Sequence, residues 1–329
     1  MMKLSYLFNN FALAEMLLKN WDYDETSLDL FQDFRISANA IYPFRQNGEI
    51  CFLRCSPTSE KRTDNVIAEL DFINYLRRTG YQALEPRPCK TGAEWVQKQT
   101  PWGEYYASVF KRVKGQAISE SDFDDRRLLA YGVALGQLHA LSATYAAPNP
   151  KRWTHMEVFN WIAVELKLLP PDPWARNELN MLREFFSQMP IHPANYGLIH
   201  YDFETDNVFY DEASGACSVI DFDDAMYHWY VMDIVQALDS LKKEVAKDAF
   251  AQKKAVFLSG YGSQFAIDDD LLAAMPFLRR FANLYRYTRT KRALHERWDN
   301  EPEWMVELRQ KLEEMLKSDA VSFGKAMYL

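Results

Sequence analysis

The chain has 329 residues, is 48% hydrophobic and carries a formal charge of −8. That is enough apolar material for a large core, in two lobes or domains rather than one. The balance is too acidic for a nucleic-acid or anionic-membrane partner, either of which requires a basic face. Four cysteines without a Cys-x-x-Cys pair exclude a disulfide framework, argue against zinc and fit the reducing cytoplasm.

In the N-terminal stretch Leu4, Leu7, Phe8, Phe11 and Leu18 recur at helical spacing, while Asn9, Asn10 and Glu15 interrupt the apolar run. The pattern predicts a packed amphipathic helix and not a signal peptide. No later segment reaches the roughly 20 uninterrupted apolar residues of a membrane span. From Phe34 to Cys55 the chain alternates, and Asn47-Gly48 between two apolar runs predicts a hairpin. The next helix starts near Thr63 or Asp64, either of which can cap it, and ends before Gly80. Glu69, Phe72, Ile73 and Leu76 share one face of it, so Glu69 points inward and needs a cation. Arg54, at the end of the preceding strand, is the expected partner. A strand pair spans Trp95 to Val113 and turns at Gly115. Leu128, Leu129, Leu135, Leu138 and Leu141 then form a helical stripe, with His139 expected as a hydrogen-bonded core residue. The basic clusters Arg279-Arg280 and Arg286 to Arg292 read as solvated helix faces.

The stretch from His200 to Asp224 carries the chemistry. Val208 to Tyr210 and Ala216 to Ile220 read as two strands joined by a turn at Asp211 to Gly215. A hairpin would set Asp202 and Asn207 beside Asp221. Eight acids fall here, Asp202, Glu204, Asp206, Asp211, Glu212, Asp221, Asp223 and Asp224, with no Lys or Arg among them. Converging carboxylates repel unless a cation sits between them. One carboxylate and one amide carbonyl suffice for Mg²⁺, which keeps several waters. A general base must be a different carboxylate.

The joint pattern His200-x-Asp202, Asn207 and Ile220-Asp221-Phe222 resembles the aminoglycoside phosphotransferase and choline kinase-like superfamily, which includes type II homoserine kinase-like proteins. The resemblance implies an α+β, bilobal protein-kinase-like fold. Residues 1–114 would form an N-terminal lobe with an antiparallel sheet and one helix, and 115–329 a larger, mostly helical C-terminal lobe. It implies ATP- and Mg²⁺-dependent transfer of the γ-phosphoryl group to a hydroxyl of a small molecule. Asp202 would be the base, with Asn207 and Asp221 holding the metal. Arg54 with Glu69 would clamp phosphate, Ser37 and Asn39 would cover it, and Phe110 to Arg112 would form the adenine hinge. His200 would order the loop and Asp233 brace it. Two departures motivate a nonenzymatic alternative, a nucleotide-binding pseudokinase or scaffold: the loop at 37–40 lacks glycine and Arg54 replaces lysine; Asp223 also stands where kinases have glycine. Asp223 reads equally as a metal assistant or a loop cap. A protein kinase is disfavoured because Asp233 follows Asp224 too closely for an activation segment. For the acceptor, Asp224, Tyr227 and Trp229, with Trp153, Trp161, Asp172 and Trp174, combine carboxylates and aromatic faces that suit a cationic alcohol. An amino alcohol, amino sugar or hydroxy amino acid fits that description.

Overall fold

A computed structural model describes residues 2–266 and 269–325. The predicted N-terminal helix is divided. Only α1 (Phe11–Leu18) is α-helical, and Asn10 is its N-cap, its side chain accepting from the Leu13 N–H at 2.9 Å. The residues before it serve the far end of the chain. Leu4 is buried with Leu294, Met305 and Leu312, and the Phe8 ring stacks on Trp298 at 5.7 Å.

Strand β1 (Arg35–Ile36) leads into the predicted hairpin, β2 (Ala40–Gln46) and β3 (Glu49–Pro57). Asn47 and Gly48 have φ of 52° and 79°, the two left-handed residues that a tight hairpin turn matched to strand twist requires. Along β3, Cys51, Leu53 and Cys55 enter a core shared with Leu13, Leu17 and Trp21 of α1 and its C-terminal turn. Phe52, Arg54 and Ser56 therefore point to the opposite face of the sheet.

Helix α2 (Thr63–Arg78) buries Glu69, Phe72, Ile73 and Leu76, as its periodicity requires. Its predicted cap is not formed: the Thr63 hydroxyl bonds to the Tyr106 hydroxyl at 2.6 Å, and Arg62 occupies the N-cap position without a side-chain bond. Strands β4 (Glu85–Arg87), β5 (Trp95–Thr100) and β6 (Gly103–Lys111) complete a six-stranded sheet whose pairs are all antiparallel.

Gly115, with φ of 93°, lies against the strand of Tyr210 so closely that a Cβ would sit 2.3 Å from the Tyr210 carbonyl oxygen. Only glycine lets the chain pass there. The elements beyond it are β7 (Gln116–Ala117), α3 (Asp125–Ser142), α4 (His155–Leu168), α5 (Pro173–Gln188), β8 (Tyr196–Ile199), β9 (Val208–Asp211), β10 (Ala216–Val219) and β11 (Met226–Trp229). Helices α6 (Val231–Glu244), α7 (Phe250–Gly262), α8 (Asp269–Leu272), α9 (Met275–Leu294) and α10 (Glu303–Asp319) follow. Strands β7, β9 and β10 form one small antiparallel sheet, and β8 pairs with β11. A core containing Leu128, Leu135 and Leu138 of α3 also takes in Phe72 and Leu76 of α2, so α2 is packed on the helical lobe as well as on its own sheet. A second core joins α4, α5 and α9 through Phe159, Phe186 and Phe281. Sheet lobe and helical lobe together give the bilobal α+β architecture that the resemblance implies. Among the described residues no helix is long and apolar enough to cross a membrane.

The basic runs on α9 are ion-paired throughout, Arg279 and Arg286 while still exposed to solvent and Arg280, Arg289, Lys291 and Arg292 largely withdrawn from it. Arg280 is paired with the fully buried Glu178, Arg286 with Asp319, Lys291 with Asp172 at 2.7 Å, and Arg292 bidentately with Glu60 at 2.8 and 2.9 Å. Their acids come from distant parts of the chain, so charge patterning along α9 alone could not reveal the pairing.

Candidate active site

The hairpin of β9 and β10 brings its ends together. Val208 pairs with Val219, and the Ile220 N–H donates to the Asn207 carbonyl at 3.0 Å. Asp202, Asn207 and Asp221 thereby gather at a cleft of about 190 Å³ lined by Ser37, Ala38, Asp202, Asp221, Asp223 and Asp224. Asn207 Nδ2 donates to the Asp202 carbonyl at 2.9 Å and to Asp202 Oδ2 at 3.0 Å. Its Oδ1, the atom through which an amide binds metal, has no donor among the described residues. Asp221 has φ of 62° and ψ of 63°, a left-handed conformation uncommon for a residue other than glycine.

Histidine and aspartate fix this backbone. His200 Nδ1 accepts from the Asp202 N–H at 3.2 Å, so Nε2 carries the proton and donates to the Ile220 carbonyl at 2.8 Å. Buried Asp233, in the first turn of α6, accepts from the N–H groups of His200 and Tyr201 at 2.8 and 2.7 Å and from His139 Nε2 at 3.1 Å. It thus holds Tyr201 at its φ of 68°. Burial keeps both histidines below their ordinary pKa, hence neutral. His139 is the hydrogen-bonded core residue expected, and Asp233 braces the loop.

The carboxylates divide by charge. Burial, reinforced by Asp224, Glu204 and Asp221, pushes Asp202 well above the usual range. Burial, and next the neighbouring Asp223, raises Asp221 to about 6 against the pull of Arg54. Asp223 is also raised by burial, but Lys61 and then Arg54 more than offset this and hold it well below the ordinary value. For Asp224 the effect of burial is overcome by Arg289, whose guanidinium lies 2.6 Å away. The cations absent from the stretch 200–224 therefore arrive from elsewhere, and they neutralise two of its acids without a metal. Arg152, 7% exposed, adds hydrogen bonds to the carbonyls of Asp223, Ala225 and Asn65 at 2.5, 2.6 and 3.0 Å. Nothing in the sequence singled out Lys61 or Arg152. Arg289 belonged to a run read as solvated.

What remains open is two carboxylates and one amide oxygen. Among the described residues no group of three or more His, Cys, Asp or Glu side chains forms a metal cage. The donor set fits a hard divalent cation that takes its other ligands from phosphate and water.

Above the cleft, Arg54 and Glu69 form the predicted pair, bidentate at 2.6 and 2.9 Å, with the two side chains 7% and 0% exposed. The Phe110 ring lies 4.7 Å beneath the Arg54 guanidinium, so that its face supports the pair. Arg112 is exposed, and its N–H donates to the Ile50 carbonyl at 3.0 Å. Ser37 lines the cleft, whereas Asn39 is buried and reaches Asp223 with Nδ2 at 3.0 Å. Of the acceptor-side residues, Asp224 lines the cleft and Tyr227 is half-buried. Trp229 is a correction: it is fully buried in the α4–α5–α9 core and its indole N–H donates to the Pro190 carbonyl at 2.8 Å. Its position two residues beyond Tyr227 puts it on the same face of β11 by alternation, but His155 of α4 and Phe186 of α5 pack against its ring. Asp172 caps α5 and is held by Lys291 and Tyr287, and Trp174 is exposed.

Fold and site define a phosphotransferase of the kinase type. The chain belongs to the Phosphotransferase enzyme family, whose profile matches residues 44–263. It is 24% identical over 274 residues to the amicoumacin kinase of Bacillus subtilis (strain 168), covering 79% of this chain and 78% of that protein. Solved structures share its fold: an amicoumacin kinase in complex with AMP-PNP, Ca²⁺ and Ami (TM-score 0.74, 19% identity, 95% of both chains) and a microcompartment-associated aminopropanol kinase (0.67, 17%, 94% and 95%). A spectinomycin phosphotransferase in complex with ADP and spectinomycin is similar at a TM-score of 0.58, with 11% identity over 94% of both chains. The protein is accordingly an ATP-dependent small-molecule kinase. The nonenzymatic alternative is set aside.

Proposed function

We propose that the protein moves the γ-phosphoryl group of ATP to a hydroxyl of a small, amine-bearing molecule in the cytoplasm, with Mg²⁺ as the metal. The observation that carries this reading is the convergence of Asp202, Asn207 and Asp221 at the hairpin ends, beside the Arg54–Glu69 pair. ATP lies between a first lobe of residues 1–114 and a second of 115–329, its adenine at the Phe110 to Arg112 hinge. Ser37 and Asn39 belong to the loop over the phosphates, and Arg54, oriented by Glu69, contributes its free guanidinium edge to them. Asn207 Oδ1 and the Asp221 carboxylate would hold Mg²⁺, which when bound would supply charge neutralisation for the transferring group. Asp202 receives the proton of the acceptor hydroxyl at Oδ1, because Oδ2 is engaged by Asn207. The hydroxyl oxygen forms its bond to the γ-phosphorus while the bond to the β–γ bridging oxygen breaks, and ADP leaves. Asn207 keeps the base oriented throughout.

The amine follows from the charge surplus around Asp202, where Glu204 makes a single long ion pair among the described residues, with Lys243 at 3.9 Å. Asp224 and Tyr227 form the acceptor wall, with Asp224 shared between Arg289 and the incoming ammonium. The named activity of an aminopropanol kinase on the same fold supports the same class. The test is Mg²⁺-dependent ATP consumption across amino alcohols, hydroxy amino acids and aminoglycosides, run beside neutral sugars. Turnover confined to neutral or anionic hydroxyl compounds would end the amine assignment.

A further inference from the structure

The loop between β1 and β2 lies over the cleft without a glycine. Glycine-rich loops approach phosphate because their backbone is unhindered. Here the loop is held by other means. The Ser37 N–H donates to the Asn39 carbonyl at 3.0 Å, and the Met2 N–H donates to the Ser37 carbonyl at 3.0 Å. Asn39, 5% exposed, turns away from solvent and joins a three-residue cluster. Its Nδ2 donates to Asp223 Oδ2 at 3.0 Å, the Lys61 ammonium donates to its Oδ1 at 2.9 Å, and Lys61 also pairs with Asp223 Oδ1. The three residues come from the loop, from the connection between β3 and α2, and from the element that follows β10. Lys61 and Asp223 are 162 residues apart, and each side chain is 11% exposed.

We propose that Lys61 is the positioning residue of this loop: its ammonium locks Asn39 and Asp223 together, and so holds Ser37 and Ala38 over the phosphates of ATP in place of a glycine-rich backbone. The proposal rests on the kinase reading above. Two features of the cluster support it. A lysine with little exposure loses side-chain entropy and hydration, which only strong partners return; here one partner is the buried Asn39 of the loop, and the other is Asp223, which lines the cleft from the opposite lobe. Asn39 uses both ends of its amide within the cluster, so the loop tip cannot move without breaking the bonds to both Lys61 and Asp223. A second tie between the lobes begins one residue earlier, where Glu60 is bound by Arg292. That tie does not touch the loop, which separates lobe fastening from loop positioning.

The experiment is calorimetric titration of the full chain with Mg·AMP-PNP, with a thermal melt of every variant. Lys61→Met is expected to weaken binding about tenfold, the loss of charge-assisted hydrogen bonds to two partners. Lys61→Arg should remain within about threefold of the parent, because it keeps the charge and reach. Asn39→Ala should weaken binding and be non-additive with Lys61→Met, as members of one network are. Glu60→Gln should lower the melting temperature and leave binding within about twofold. Unchanged affinity in a folded Lys61→Met overturns the proposal, as does equal loss in Glu60→Gln, which would make Lys61 a mere lobe fastener. Loss in Lys61→Arg equal to that in Lys61→Met overturns it too. If the parent protein itself binds no Mg·AMP-PNP, the kinase reading fails, an outcome separate from these.

Discussion

Asp202 and Asp221 on one side, and Asp223 and Asp224 on the other, are desolvated carboxylates around a single cleft, yet they have opposite electrostatic fates. Neither of the first two has an ion-pair partner, and both are pushed towards protonation by burial and by neighbouring carboxylates, Asp224 for Asp202 and Asp223 for Asp221. The second two are neutralised by Lys61 and Arg289 and stay ionised. The protein therefore reserves its uncompensated negative charge for two positions, which stay open to a proton or a cation. It closes the adjacent positions with its own cations, Lys61 from the first lobe and Arg289 from the second.

The largest effect that would sharpen this contrast comes from the uncompensated side. Asp202→Asn should keep MgATP binding and lower kcat by about 10²–10⁴, the range for loss of a general base; unchanged kcat with an identified acceptor would remove Asp202 from that role. Asp221→Ala should abolish Mg²⁺-dependent nucleotide affinity, and an unaltered calorimetric isotherm would refute the metal assignment.

Next in size is the buried ion pair. Glu69→Ala leaves the Arg54 guanidinium buried without its partner and should cost about 3–5 kcal/mol of stability in denaturant unfolding. Single and double alanine variants of Arg54 and Glu69 should be non-additive in MgATP affinity. Strict additivity would show that the two side chains act separately.

The pH dependence is the third test. Metal binds the ionised carboxylate, and burial raises Asp221 to about 6. Lowering the pH through 6 protonates it, so Mg·AMP-PNP affinity should fall on the acid side, by up to about tenfold per pH unit for one displaced proton. Asp223 is held ionised by Lys61 and should not contribute in that window. Affinity flat from pH 7 to pH 5 would break the distinction between the two groups.

The smallest effect belongs to the compensated side. Asp224→Asn should raise the acceptor KM by less than about tenfold and leave kcat nearly unchanged, since one hydrogen bond to a charged group is lost away from the reacting atoms. A fall in kcat as large as that of Asp202→Asn would erase the difference between the two sides.

Much of this site was legible because its parts are close in sequence or constrained by periodicity. Asp202, Asn207 and Asp221 are separated by one hairpin, whose strand pattern and turn residues bring them together locally. Arg54 and Glu69 could be paired because a carboxylate on the apolar stripe of α2 needs a cation, and the preceding strand offered one. The Asn47-Gly48 turn and Gly115 were readable from backbone freedom alone. Other features had no local signature. Lys61, Arg152 and Arg289 look like any long basic side chain until the lobes pack and remove water from around them. Lys291 and Arg292 were misread for the same reason, and Trp229 was misassigned because α4 and α5 cover it only in the folded chain. The apolar spacing from Leu4 to Leu18 suggested one helix, but Asn10 caps a shorter one and Leu4 packs on a core formed by α9 and α10. Local sequence thus determined the reacting groups, whose spacing is set by one hairpin. Tertiary structure decided their charge states, because desolvation and the arrival of a counter-ion depend on which distant surfaces meet.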